Sequence, residues 1–180
     1  MNIKILLVTI MPLIFSLESN ATSNKLSPYG YESIRTGMTL SEAQTTLSLK
    51  FILANEQTPY DINNDCQSFI LENHPPELIV MVVDGIIERI SIYEDIDNQH
   101  KMNIKTDTGL TIHDSAKLIH ERYPVGLKNE PHEYLGPAAR YLTWWDKEKD
   151  RGIRFETDMS NRITTIHAGS DAIFLLEGCS

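Results

Sequence analysis

Ile34-Arg35-Thr36-Gly37-Met38-Thr39-Leu40-Ser41-Glu42-Ala43 is echoed later in the chain by Ile104-Lys105-Thr106, a two-residue insertion, and Gly109-Leu110-Thr111-Ile112-His113-Asp114-Ser115-Ala116. In both stretches a Thr precedes an amphipathic segment and an acid follows three residues on. This is the reciprocal pattern that starts a helix: the hydroxyl accepts from a free N–H of the first turn, and the carboxylate reaches back toward the cap and the positive end of the dipole. The spacing therefore gives Glu42 and Asp114 to capping rather than to catalysis. From these starts Leu40, Ala43 and Leu47 share one helix face, and Ile112, Ala116, Ile119 and Tyr123 share one face of a second helix that Pro124 ends.

After each helix the apolar period changes from helical to extended. Cys66 to Glu72, Leu78 to Val83 and Ile86 to Tyr93 read as strands, with Asp84-Gly85 as a two-residue hairpin turn. Arg140 to Trp145, Ile153 to Thr157 and Arg162 to His167 follow in the second half. A three-stranded meander with one apolar face needs a covering layer, and the helix before it supplies one. The expected fold class is therefore α+β: two tandem helix-plus-antiparallel-meander units in two layers, with one continuous sheet and helices on one face as a way for two small units to share a core. The expected organisation is a signal peptide at 1–21, a first unit at 22–93, a polar connector at 94–103, and a second unit with a C-terminal tail at 104–180.

The signal peptide is read from basic Lys4, the apolar run Ile5 to Phe15 broken by Pro12, and small residues at Ser19 and Ala21. That run is too short to span a bilayer, so the expected product is periplasmic or secreted, without a membrane anchor after signal removal. In an oxidising compartment the two cysteines, Cys66 and Cys179, most simply form one structural disulfide; no C-x-x-C pair suggests redox work. The 180 residues carry 16 basic and 25 acidic side chains, a net charge of −9, with no basic stripe. Nucleic acid is therefore not expected as a partner.

The order helix, meander, helix, meander, with Gly37-Met38-Thr39-Leu40-Ser41-Glu42-Ala43 opening the first helix, resembles exported proteins of the β-lactamase-inhibitory-protein-like and BamE-like group. That resemblance implies binding to a protein partner through a concave sheet or its loops, without catalysis and without a cofactor.

The residues offer few alternatives in chemistry. No G-x-S-x-G elbow, phosphate-cradling glycine loop or H-E-x-x-H occurs. His113 and His120 share a helix flank but lack a third zinc ligand in register. Asp61 to Asp65 with Glu72 at the twelfth place imitates a calcium loop, but Cys66 stands where the sharp turn needs Gly.

The best binding candidates are the aromatics Tyr134, Tyr141, Trp144 and Trp145. The two tryptophans must point to opposite faces if they lie on one strand. The acids Glu94, Asp95 and Asp97 of the connector suit a basic partner. The leading expectation is a non-catalytic protein-binding module, an inhibitor or immunity-type protein facing an envelope enzyme. The alternatives are a glycan-binding module that uses the same aromatics, or a small hydrolase without a recognisable motif.

Overall fold

The computed structural model describes residues 25–54, 65–96 and 103–179. The signal-peptide segment, Asp97 and most of the calcium-like loop (61–64) lie outside the described residues. In chain order the elements are β1 (Lys25–Ser27), β2 (Gly30–Tyr31), β3 (Ile34–Arg35), α1 (Leu40–Thr46), β4 (Phe51–Leu53), β5 (Cys66–Leu71), β6 (Leu78–Val83), β7 (Ile86–Tyr93) and β8 (Lys105–Thr106). The second half adds α2 (Ala116–Arg122), β9 (Lys128–His132), β10 (Gly136–Asp146), β11 (Arg151–Thr157), β12 (Ile163–Gly169) and a 3-10 turn at Asp171–Phe174.

Local chemistry sets several of these boundaries. Thr39 and Glu42 form the expected reciprocal cap at α1: the Glu42 N–H donates to Thr39 Oγ1 at 3.1 Å, and the Thr39 N–H donates to Glu42 Oε2 at 2.8 Å. Asp84 and Gly85 both take positive φ, 50° and 78°, as the primed hairpin turn between β6 and β7 requires.

The second helix starts later than its sequence echo suggests. Asp114 Oδ2 does accept from the Thr111 N–H at 2.9 Å, but the Thr111 hydroxyl donates to the Ile104 carbonyl and His113 turns left-handed at φ 71°. The chain therefore enters α2 only at Ala116, and Ile112 reaches the core from a loop.

The expected α+β class is overturned. The described residues are mostly β, 47% strand against 13% helix, with one sheet of four strands and one of eight. Two physical reasons account for the error. The helices are only seven residues each, too short to roof a wide sheet alone. The short strands β1, β2, β3 and β8 were invisible to a periodicity argument, because two or three residues cannot display a period. They form the small sheet, order β3-β2-β1-β8, whose Leu26, Tyr31 and Ile34 join Ala43 and Ile119 of the helices in one core. The lid that was expected to be helical is thus shared with strands. The meanders also have four strands rather than three, with β4 and β9 at the outer edges.

The large sheet runs β4-β5-β6-β7-β12-β11-β10-β9, so the two meanders meet at their last strands. Cross-strand register then builds continuous rows. Phe69, Val80, Ile90, Ala168, Ile153 and Trp144 stand side by side from β5 to β10 on the face that carries the helices. Leu78, Ile92, Ile166, Phe155 and Leu142 form the next row of the same face. Alternation puts the intervening residues on the opposite face, and these are largely polar.

The seam between β7 and β12 ends where Gly169 lies opposite Arg89. Gly169 has φ 149°, and a Cβ there would collide with the Glu88 carbonyl oxygen. Gly169→Ala is expected to cost at least about 1–3 kcal/mol, measured by urea unfolding; an unchanged midpoint would contradict the role given to this glycine.

Cys66 at the start of β5 is bonded to Cys179, with Cα atoms 5.3 Å apart across a separation of 113 residues. The bond draws the tail back over the first meander. Replacing both cysteines by Ala should lower stability by about 4–5 kcal/mol on the chain-entropy model, and a urea midpoint that did not move would show the link to be energetically idle.

Candidate functional site

The face opposite the helices carries three rows. One is Tyr93, Thr165, Glu156 and Tyr141; the next is Ser91, His167, Arg154 and Thr143; the last is Arg89, Gly169, Gly152 and Trp145. The glycine pair leaves a gap in the last row. Trp145 occupies part of it, since a Cβ on Gly152 would collide with the indole ring. The 3-10 turn after β12 packs over β7, β12 and β11 and fills the rest. Ser170 caps that turn, accepting from the Ala172 N–H at 3.3 Å.

The buried Arg89 ties the tail down. Its Nη1 donates to the Ala172 carbonyl at 3.0 Å and to the Leu175 carbonyl at 2.7 Å. Burial holds its pKa below the ordinary value for a guanidinium. The tail residues that follow end at the disulfide, so two independent restraints hold one short segment on the sheet.

Beside the tail, polar groups form a connected line. Ser91 Oγ lies 2.8 Å from His167 Nδ1, and His167 Nε2 lies 3.2 Å from Glu156 Oε1. His132 Nε2 lies 3.5 Å from Glu156 Oε2, while its Nδ1 accepts from the N–H groups of Tyr134 and Leu135. Both imidazoles therefore point an Nε2–H at one carboxylate. Burial pushes the His167 pKa down, outweighing the Glu156 bond that raises it, and Arg89 and Arg154 push the same way as burial. For Glu156, burial raises the pKa, but the His167 hydrogen bond and the neighbouring cations prevail and leave it below the usual carboxylate value.

A serine, a histidine and a glutamate in line invite a hydrolase reading. Here Ser91 is 1% exposed and His167 5%, so both groups are buried and no substrate carbonyl reaches the serine oxygen. The line is a satisfied buried network that orients the sheet's polar face. Among the described residues no group of three or more His, Cys, Asp or Glu is arranged to hold a metal ion.

Above this network the rings stack. The Arg154 guanidinium lies 3.8 Å from the Tyr141 ring centroid and 5.5 Å from that of Phe174. Tyr141 stacks on His132 at 4.3 Å, and Trp145 packs against Phe174 at 5.7 Å. Tyr134 Oη donates to Glu177 Oε1 at 2.7 Å, linking the β9–β10 turn to the tail. The outer surface of this stack is apolar and open: Tyr134 is 61% exposed, Leu175 47%, Leu176 42% and Phe174 41%, with Leu135 beside them.

No protein family, curated protein or solved structure shows a match to this chain.

The aromatics expected from sequence are divided by the structure. Tyr134 is at the open surface, Trp145 is half-buried at its edge, and Tyr141 is buried as the backing of the stack. Trp144 lies on the other face of the sheet, 5.8 Å from Tyr123. Of the connector acids, Glu94 pairs with His113 Nδ1 at 3.4 Å, and Asp97 is outside the described residues.

Phe174, Leu175 and Leu176 were not singled out from sequence. The signal available was an apolar run, Ala172 to Leu176, shortly before a cysteine and without the alternation of a strand. Arg154, Glu156 and His167 were also missed, because alternation on a strand marks them as merely wet.

The buried imidazole predicts a pH dependence. Unfolded, His167 titrates near the ordinary 6.5; folded, it is held lower. Between those two values the unfolded chain binds a proton that the native chain refuses, so stability falls as the pH drops below about 6.5. Glu156 adds the same sign lower down, its contribution being complete above its unfolded pKa and lost on acidification through the folded one. Urea midpoints measured from about pH 7.5 to about pH 5.5 should decline, and less steeply in His167→Gln. An identical slope in the variant would remove His167 as the cause.

Proposed function

We propose that this protein is a non-catalytic binding module that holds a protein partner on the open surface over its C-terminal tail, as an inhibitor or immunity-type protein acting on an envelope enzyme. The observation that carries this reading is the set of exposed apolar side chains on the β9–β10 turn and the tail, Tyr134, Leu135, Phe174, Leu175 and Leu176, two segments joined by the Tyr134–Glu177 hydrogen bond. A soluble protein that leaves large side chains together on a rigid, disulfide-held base offers the anchor residues that interfaces use. Because Arg154, Tyr141 and His132 lock the base from beneath, little ordering is left to be done on binding.

Charge favours a basic partner. Exposed Glu133, Asp171 and Glu177 border the apolar surface, and the whole chain is at −9. The disulfide is compatible with an oxidising compartment, and no helix among the described residues is long and apolar enough to cross a membrane. Both support a periplasmic or secreted location, where cationic wall-degrading enzymes are the matching class of target.

The test uses the disulfide-bonded protein immobilised against envelope extract, with Phe174→Ala/Leu176→Ala alongside. Phe174 also packs on Trp145 and lies near Arg154, so the urea midpoint of the variant is measured beside that of the wild type and retention is compared where both are folded. The expected result is a basic enzyme retained by the wild type, at least tenfold less retained by the variant, and slower in its own assay when the wild-type protein is added. Retention indifferent to the double substitution, or an enzyme unaffected by the protein, would refute the proposal.

A further inference from the structure

On the other side of the large sheet, where β10 meets the end of α2 and the β1–β2 turn, lies a cleft of about 400 Å³. Its walls are the rings of Tyr29, Tyr123 and Trp144 with Pro124, and its polar groups are Asp107 and Arg122. None of these belongs to the surface over the tail.

The walls are held in place. Tyr29 Oη donates to Asp146 Oδ2, and the Lys149 ammonium sits 4.6 Å from the Tyr29 ring centroid. Tyr123 is wedged 5.8 Å from Trp144 and 5.7 Å from Phe155, and its Oη accepts from Thr108 Oγ1 at 3.3 Å. Burial pushes the Tyr123 pKa up to about 12 and the Asp146 bond does the same for Tyr29, so both phenols remain neutral donors at any ordinary pH.

The polar groups, by contrast, have capacity to spare. Asp107 Oδ1 accepts from the Thr108 N–H at 2.9 Å, and its own backbone N–H and the Lys25 charge also act on the carboxylate, which keeps lone pairs for a further donor. The Arg122 guanidinium and the Trp144 indole N–H have no acceptor among the described residues. Asp107 and Arg122 carry opposite charges, both line the cleft and are exposed, and no ion pair joins them.

We propose that this cleft is a saccharide site: a pyranose stacks its C–H face on the half-buried Trp144 ring, with Tyr29 as the second aromatic wall, while Asp107 accepts from, and Arg122 and the Trp144 N–H donate to, its hydroxyls.

Three features select this ligand class. Flat aromatic walls suit a ring with an apolar face. One carboxylate with one guanidinium is neutral overall, which suits an uncharged polyol better than an anion or a cation. A purely apolar ligand would leave the hydrogen-bonding capacity of Asp107 and Arg122 unused. The volume lies within the range of small-molecule sites, at the size of one or two sugar rings.

The test titrates the full disulfide-bonded protein with chitotriose, cellotriose, maltotriose and a soluble wall disaccharide, and separately with a proline-rich peptide. Binding is read by saturation-transfer NMR and by tryptophan fluorescence in Trp145→Phe, where Trp144 is the sole reporter. At least one sugar should give a saturable signal, and Asp107→Asn and Arg122→Gln should each weaken it about tenfold or more with unchanged thermal melting. Phe174→Ala/Leu176→Ala should leave it intact, so this proposal and the protein-binding proposal fail separately.

No saturable signal from any sugar up to about 10 mM, a concentration that fills even a millimolar site, would overturn the inference. So would a response to the peptide alone, or sugar binding indifferent to both polar substitutions.

Discussion

The antiparallel pairing of β7 with β12, from Tyr93 opposite Thr165 to Arg89 opposite Gly169, is the constraint on which the rest of the structure depends. It joins two four-stranded meanders by their inner strands and removes the two edges that would otherwise be open. Because register is preserved across this seam, a row that begins at Phe69 continues through Val80, Ile90, Ala168 and Ile153 to Trp144. Neither meander is large enough to bury such a face alone. Together, beneath the short helices and the four-stranded sheet, they share one core.

The same seam organises the other face by the same alternation. Arg89, Ser91, His167, Arg154 and Glu156 come from both halves and meet there, where an unpaired charge would be costly. They are compensated in part by one another and by the tail: Arg89 is bonded to tail carbonyls, the imidazoles lie against Glu156 and Arg154 lies over the Tyr141 ring, while Nε of each arginine has no acceptor among the described residues. Gly152 and Gly169 make this possible by leaving space for Trp145 and for the turn that begins the tail. The sulfur link at Cys179 then keeps that turn seated, and the apolar residues just before it are displayed outward because the sheet below them is already covered.

The adjacent tryptophans show how one strand serves two surfaces. Trp145 packs with Phe174 at the edge of the tail-covered face, whereas Trp144 packs with Tyr123 beside the cleft on the helix side. The protein surface and the saccharide cleft proposed above are thereby built on one rigid strand, β10, but are chemically separate. One is broad, apolar and rimmed by acids; the other is concave, ringed by aromatics and balanced in charge.

What the sequence determined by itself was local. The Thr39 and Glu42 cap, the Asp84-Gly85 turn, the central strands and the opposite facing of Trp144 and Trp145 follow from hydrogen-bonding groups and periods within a few residues of one another. The pairing of Cys66 with Cys179 was legible too, because only two cysteines exist. What only the tertiary structure decided was long-range. Two- and three-residue strands such as Gly30–Tyr31 and Lys105–Thr106 carry no period and exist because neighbours supply their hydrogen bonds, so the fold is β-rich rather than the expected helix-and-meander balance. The second capping pattern failed for a similar reason, its Thr111 hydroxyl having been taken by the carbonyl of Ile104. The assembly of Arg89, His167 and Glu156 under a tail that begins after the last strand depends on register between distant strands, which no window along the chain contains.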